Sequence, residues 1–345
     1  MSDFQVVRGF EEVWRPPVRP RRRTPEVRAI SSPGLTPVDV RARLARIVRR
    51  APEVMVKVTG RTRDPGRLAA HLNYISRHGA LALEDADGTM LVGRKEVAEL
   101  SADWAAAAFM DSRRRANTPM SVSVVLSMPA STDPIAVRDA ARTFAARTFA
   151  NQFDYVFALH TDTPRPHVHL AVAALGREGQ HLNPKKADLQ AWREGFAEAL
   201  REQGIAAEAT PRRARGVTRK AERGPIRRMS ERASAGGGAM PVVRQAAYRD
   251  AASAAFQGDT APRPWEAKTA ARQAAIRGLY LAQAKVLQRS AAADDRELGW
   301  RVEQFVHDMP ALDSQRLALA RELRMANARE SARTAAHSGR AKDRL

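Results

Sequence analysis

The chain has 345 residues, 44% of them hydrophobic, which suffices for one or two domains with buried cores. Its 58 Lys and Arg against 38 Asp and Glu leave a formal charge of +20, which points to a polyanionic partner, nucleic acid first; a basic protein from an arginine-rich proteome is the plainer alternative. The absence of cysteine excludes disulfides and thiolate metal sites, no apolar run approaches the length of a membrane span, and the start Met1-Ser-Asp-Phe-Gln5 lacks the pattern of a signal peptide, so a cytoplasmic protein is expected.

Residues 1–52 read as a basic, Pro/Arg-rich N-terminal extension. Its run Arg15-Pro-Pro-Val-Arg-Pro-Arg-Arg-Arg23 is expected to be extended or disordered, and a short helix over Pro37–Arg50 is expected with Thr36 as its N-cap. A second stretch, 53–210, alternates strands and helices. Val54–Thr59 reads as a strand, Arg67–Arg77 as a helix closed by Gly79, and Arg94–Ser112 as another helix. Ser121–Met128 is a strand, Asp133–Ala150 a helix with Pro134 in its first turn, and Tyr155–Asp162 and His167–Leu175 are two further strands. A helix from Asn183-Pro184 to Gln203 carries Leu189, Trp192, Phe196 and Leu200 on one stripe. Residues 211–262 read as a basic linker with weak helical pieces. Residues 263–345 read as a helical C-terminal region whose last fifteen residues look frayed.

Strand phase divides the sheet into two unlike faces. Val54, Val56 and Val58 oppose Met55, Lys57 and Thr59; Val122, Val124 and Leu126 oppose Ser121, Ser123 and Ser127. Tyr155, Phe157 and Leu159 oppose Ala158, His160 and Asp162, while Val168, Leu170 and Val172 oppose His167 and His169. This is an α+β pattern: a central antiparallel sheet covered by helices on one face, with the other open. The open face would carry Lys57, Ser123, Ser127, His160, Asp162, His167 and His169, and the alanines among them would leave room for a substrate backbone. A single β-bulge would flip the phase beyond it.

Three of the eight histidines lie within residues 160–169. The segment Thr163-Pro-Arg-Pro166 reads as a tight connection, so His160, His167 and His169 would meet on one sheet face. Three neutral imidazoles make a metal-ligand set with positions left for substrate, and imidazole suits several divalent ions. On the helix Arg67–Arg77, Leu68, Leu72 and Ile75 form the apolar stripe, and Tyr74 lies roughly 100–120° from its centre at about 100° per residue. Such a tyrosine is either surface decoration or a nucleophile activated by a nearby metal or base.

The segment His71-Leu-Asn-Tyr74-Ile-Ser-Arg-His-Gly79 resembles the tyrosine motif of conjugative relaxases, of the plasmid-mobilisation type and the related T-DNA border endonuclease type. Val125-Leu-Ser127-Met-Pro129 resembles their serine motif, and His160-x-Asp162-x-x-x-Pro-His167-x-His169-Leu170 is similar to their histidine motif. The motifs also agree in order and spacing, and the resemblance covers roughly 54–205.

The resemblance implies a rolling-circle-nickase-like fold and a divalent metal, with Mg2+ or Mn2+ expected. It implies a single-stranded DNA transesterase that nicks one strand at an origin of transfer, stays joined through a 5′-phosphotyrosine, and later reseals the ends. Tyr74 would attack the phosphorus, and His160, His167 and His169 would hold the ion. Asp162 would either fix an imidazole or accept the phenol proton. Ser127 would position the DNA backbone, and Lys57, Arg67 and Arg77 would contact phosphates. Accessory DNA-processing proteins and a type IV secretion coupling protein are the further partners such an enzyme would meet, and passage with the DNA into a recipient cell would follow. Two other readings stand beside this one. One is a metal-dependent phosphodiester hydrolase with water as nucleophile; the other is a non-catalytic DNA-binding accessory protein.

Overall fold

The computed structural model describes residues 4–14, 36–218 and 222–342. The basic run 15–23 and the pair Arg219 and Lys220 lie outside the described residues. The chain divides into two compact units, one within Arg15–Pro211 and the other combining Met1–Trp14 with Arg212–Leu345.

The first unit is an α+β structure around a six-stranded sheet. In chain order its elements are α1 (Pro37–Val48), β1 (Met55–Thr62), α2 (Pro65–Ile75), β2 (Leu83–Asp85), β3 (Met90–Leu91) and α3 (Gly93–Met110). They continue with β4 (Ser121–Ser127), α4 (Pro134–Phe149), β5 (Tyr155–His160), β6 (His167–Ala173) and α5 (Lys186–Glu202). The strand order is β1-β4-β6-β5-β2-β3, and every pairing is antiparallel. The hairpin β2–β3 has no counterpart in the sequence reading. Strands of three and two residues are too short to show an alternation.

The apolar face is built as strand phase predicts. Val56, Val122, Val124, Leu126, Phe157, Val168, Leu170 and Val172 bury against Val137, Phe144 and Phe149 of α4 and Trp192, Phe196 and Leu200 of α5. Tyr155 sits in this core, turned away from the histidines. A bulge does occur, between Val58 and Gly60, and the pairing of β1 runs past it to Thr62 opposite Ser121. It lies beyond Lys57, which pairs with Val125 and keeps the expected face.

The polar face is only partly open. α2 and α3 pack Leu68, Leu72, Ile75, Val97, Trp104 and Ala105 onto Met120, Val156, Ala158, Ala171 and Ala173, so the small residues read as room for a substrate seat two helices instead. Alanine on a sheet face permits close approach of either a ligand or a helix, and phase alone does not distinguish them. The histidine end of β5 and β6 and the exposed edge strand β1 remain outside this cover.

Residues 1–52 are not one segment. The helix α1 begins at the capping box expected of Thr36, whose Oγ1 accepts from Asp39 N while Asp39 Oδ2 accepts from Thr36 N, and it belongs to the sheet unit. Arg43 and Arg46 of α1 pair with buried Glu208 at 3.3 and 3.0 Å. Phe4–Trp14 instead joins the C-terminal unit, where the rings of Phe10 and Tyr280 meet at 5.5 Å. Nothing in a short N-terminal stretch can announce an aromatic partner 270 positions away.

The second unit is helical: α6 (Gly224–Ser234), α7 (Val242–Phe256), α8 (Pro264–Gln288), α9 (Ala293–His307) and α10 (Gln315–Lys342). Helices α6 and α7 occupy half of the stretch read as a linker. α7 packs Ala251 and Ala254 against Ala320 of α10, a contact between alanines that leaves little periodic signal. The helix α10 runs on through residues whose polar composition suggested fraying. Gly299 lets α9 approach α8: a Cβ there would come within 2.9 Å of the Ala284 carbonyl. The start of α8 is tied to α10 by Arg316, whose guanidinium donates to both oxygens of Glu266 at 3.2 and 2.9 Å and to the carbonyls of Asp259 and Ala261. That bond holds the Glu266 carboxyl down to about 2. Removing Arg316 leaves the buried Glu266 carboxylate without its cation, held only by the Arg263 N–H and Ser314. Arg316→Ala should therefore destabilise this unit by about 3–5 kcal/mol, read as a lower urea midpoint. Because the carboxyl is depressed in the folded state, the pair's contribution is present above pH 4.5 and lost as pH falls towards about 2.

Candidate active site

The hairpin β5–β6 assembles the histidines. His160 and His167 are directly paired at its end, and His169 faces Ala158. Period-two alternation then puts all three rings on the polar face. Their centroids lie 4.5 to 5.4 Å apart, and one nitrogen from each falls within 4.8 Å of the others.

Hydrogen bonds set two of the tautomers. Nε2–H of His160 donates to the Ile75 carbonyl at 2.7 Å, which leaves Nδ1 with its lone pair. Nδ1–H of His167 donates to the Arg165 carbonyl at 3.0 Å, which leaves Nε2 as the acceptor. A ring whose second nitrogen donates to a backbone carbonyl is the usual preparation of a metal ligand. Burial, reinforced by the other histidines and Arg77, pushes His169 down to about 3, and burial lowers His160 as well. Both are therefore neutral near pH 7, as ligands must be. The donor set and the spacing fit a divalent ion, which at His160 would take the Nδ1 lone pair that here accepts from Arg77 at 3.1 Å.

The helix α2 delivers Tyr74. Asp64 caps it by accepting from Arg67 N at 2.9 Å, Pro65 opens it, and Leu68, Leu72 and Ile75 are fully buried. One residue off that stripe, Tyr74 is 51% exposed. Its ring stands edge-on to His169 at 5.5 Å and 6.3 Å from His160. The Ile75 carbonyl that orients His160 belongs to the same helix end, so nucleophile candidate and ligand candidate are fixed to each other through one turn of backbone.

Arg77 and His78 follow in the left-handed region, at φ 51° and 57°, before Gly79 at φ 83°. A Cβ on Gly79 would lie 2.6 Å from the backbone of Gly93 and Arg94, so the turn requires glycine. The turn sends the Arg77 guanidinium back over the site. It donates to Asp162, lies 3.1 Å from His160 Nδ1, and sits 5.4 Å from the Tyr74 ring centre. Asp162 therefore reaches His160 through Arg77.

Three sequence-predicted residues fall elsewhere. Ser127 is buried, and its hydroxyl donates to the Pro166 carbonyl at 3.2 Å; it braces the turn that delivers His167 and has no surface to offer a DNA backbone. Arg67 lies at the opposite end of α2 from Tyr74 and pairs with Asp64 at 3.3 Å. Lys57 is exposed on β1, on the polar face two strands from the histidines. His71, one turn before Tyr74 on α2, has Nδ1 3.5 Å from Ser123 Oγ and a pKa lowered by burial. His181 pairs with Asp111 at 2.8 Å, outside the cluster.

Residues 74–205 match the family model described as relaxase, MobA/VirD2-like, nuclease domain. The chain is similar to the T-DNA border endonuclease VirD2 of Rhizobium radiobacter, at 25% identity over 186 residues that cover 49% of this chain and 44% of that protein. It is similar to the same protein of Agrobacterium fabrum at 26% identity, covering 49% and 42%. The chain thus spans less than half the length of the curated relatives it matches. Among solved structures, a MobM relaxase domain bound to a 26-nucleotide pMV158 oriT DNA overlaps 50% of this chain and 95% of that one, at 11% identity and a TM-score of 0.36, too loose an overlap to carry an argument. The family match begins at Tyr74 and takes in all three histidines, so over residues 74–205 the chain resembles the MobA/VirD2-like relaxase nuclease domain.

Proposed function

We propose that this protein nicks and reseals one DNA strand at an origin of transfer by transesterification through Tyr74. The observation that carries the reading is the exposed ring of Tyr74 centred 5.5 Å from that of His169, beside a cluster of three histidines, two of them oriented by backbone carbonyls. The relatives named T-DNA border endonuclease supply the DNA substrate class.

In this reaction the Tyr74 Oη–P bond forms and the P–O3′ bond breaks. The phenol gives up its proton and the departing 3′-oxygen gains one. The strand is left joined through a 5′-phosphotyrosine, and reversal by a 3′-hydroxyl reseals it with no external energy source. A divalent ion, Mg2+ or Mn2+, held by His160, His167 and His169 supplies Lewis acidity to the non-bridging oxygens when bound. Arg77 adds a fixed cation beside the same oxygens, and Asp162 holds that guanidinium in place. The protein works in the cytoplasm on single-stranded DNA, with accessory DNA-processing and secretion coupling proteins as further partners. The exposed Lys57 contributes a phosphate contact.

Resealing separates this reading from hydrolysis. Incubated with a single strand carrying the origin, a divalent ion and a shorter acceptor strand ending at the nick, the protein should yield recombined strands without ATP. Cleavage that leaves free 5′-phosphates and no recombined product would favour water as the nucleophile. Asp162 as a positioning residue has its own signature. Asp162→Asn should slow nicking by about 10–100-fold with the pH profile unchanged. Loss of the rise in rate with pH would instead mark Asp162 as the base.

A further inference from the structure

At the far end of β4 from the histidines, the structure exposes an aromatic residue that the chemistry does not use. Phe109, on the last turn of α3, is 58% exposed, and its neighbour Met110 is 86% exposed. The Arg114 guanidinium lies 4.6 Å over the Phe109 ring. Arg114 is itself anchored, donating to the Arg63 carbonyl at 2.8 Å, and Arg63 donates to the Asn117 carbonyl at 3.3 Å. The only carboxylate of the adjoining loop, Asp111, is engaged by Arg113 and His181. What faces solvent is therefore an aromatic ring backed by a cation, within a run of three consecutive arginines, 113–115.

The edge strand β1 connects this platform to the histidines. Met55 pairs with Ser127, the neighbour of His167, and Thr62 pairs with Ser121 at the other end. Between them Lys57, Thr59 and Gly60 are exposed, a small and polar track ending at Arg63. The six steps from Ser127 to Ser121 span about 20 Å at about 3.4 Å per residue. A stacked single strand covers that distance with about six nucleotides.

We propose that single-stranded nucleic acid crosses the β1 side of the sheet and that a base at most about six nucleotides from the scissile phosphate stacks on Phe109. An aromatic face binds any base, a cationic backing strengthens it, and neighbouring arginines hold the backbone, which together suit a single strand and not a duplex whose bases are already stacked. The inference rests on the DNA reading above and adds the path of the strand to it.

The test uses the full chain and labelled oligothymidines of 4, 8 and 12 nucleotides, with binding followed by fluorescence anisotropy. Wild type should bind the 12-mer more tightly than the 4-mer. Phe109→Ala and Phe109→Leu should each weaken the 12-mer about tenfold, leave the 4-mer unchanged, and keep the salt dependence, since no phosphate contact is removed. Phe109→Trp should restore the affinity. Equal affinity of wild type, Phe109→Ala and Phe109→Leu for the 12-mer would overturn the platform. A Phe109→Ala defect in a protein that never nicks or reseals origin DNA would leave the platform standing and defeat the proposed function instead.

Discussion

Tyr74→Phe is expected to lower formation of the covalent protein–DNA species by at least about 1,000-fold, below detection on a denaturing gel. The substitution removes one oxygen from an exposed side chain and keeps the ring that meets His169, so fold and metal binding should be unchanged. The measurement pairs the gel with the affinity for Mn2+ and the thermal midpoint, both of which should match wild type. A Tyr74→Phe protein that still forms the species at the normal rate would move the nucleophile elsewhere; of the other three tyrosines Tyr248 is exposed but belongs to the helical unit, and Tyr155 and Tyr280 are poor substitutes. Each is buried, Tyr155 in the core opposite the histidines and Tyr280 donating to the Ala214 carbonyl at 2.9 Å.

His169→Ala should weaken Mn2+ binding by at least about 100-fold in calorimetry, since it deletes a ligand and not merely a supporting contact. It should leave Tyr74 in place, because the backbone of α2 is held by its own buried stripe and by the His160–Ile75 bond. His160→Ala adds a second cost. It removes the donor to the Ile75 carbonyl in a position that is 1% exposed, and a buried carbonyl left unpaired costs about 1–3 kcal/mol. The two variants therefore differ in stability while sharing the loss of metal.

Acid should act on this site with a definite sign. His169 and His160 titrate below their ordinary value in the folded protein, so the unfolded chain takes up protons first. Their contribution to stability is complete above about pH 6.5 and declines as pH falls towards the depressed value of His169, about 3. Thermal midpoints of the metal-free protein between pH 7 and pH 4 should fall less steeply in His169→Ala than in wild type. Equal slopes would show that burial of these imidazoles is not linked to folding.

Much of the site is legible in the sequence because it depends on short-range periodicity. Period two places His167 and His169 on one side of β6, and the Pro-rich connection brings His160 opposite. Period 3.6 sets Tyr74 off the Leu68–Leu72–Ile75 stripe. Both periods act over fewer than ten residues, where local sterics dominate. What the sequence does not show is set by contacts between distant segments. The seating of α2 and α3 on the alanines of the polar face depends on which helix covers which strand. The burial of Ser127 depends on the Pro166 carbonyl across the sheet. The bridge from Asp162 through Arg77 to His160 depends on two consecutive left-handed residues, a conformation that Arg77 and His78 do not advertise. In the second unit, small residues at the α7–α10 and α8–α9 contacts hide their interfaces, since alanine and glycine carry too little hydrophobicity to mark a face.

The central claim is that the phenol of Tyr74 becomes covalently joined to a DNA 5′-phosphate. It is tested most directly by reacting the full chain with an origin-bearing single strand and Mn2+, digesting with protease and nuclease, and sequencing the nucleotide-bearing peptide by mass spectrometry. With trypsin, one modified peptide is expected, Leu68–Arg77, with the phosphate on Tyr74. Modification of any other residue, or cleaved DNA with no modified peptide, would contradict it.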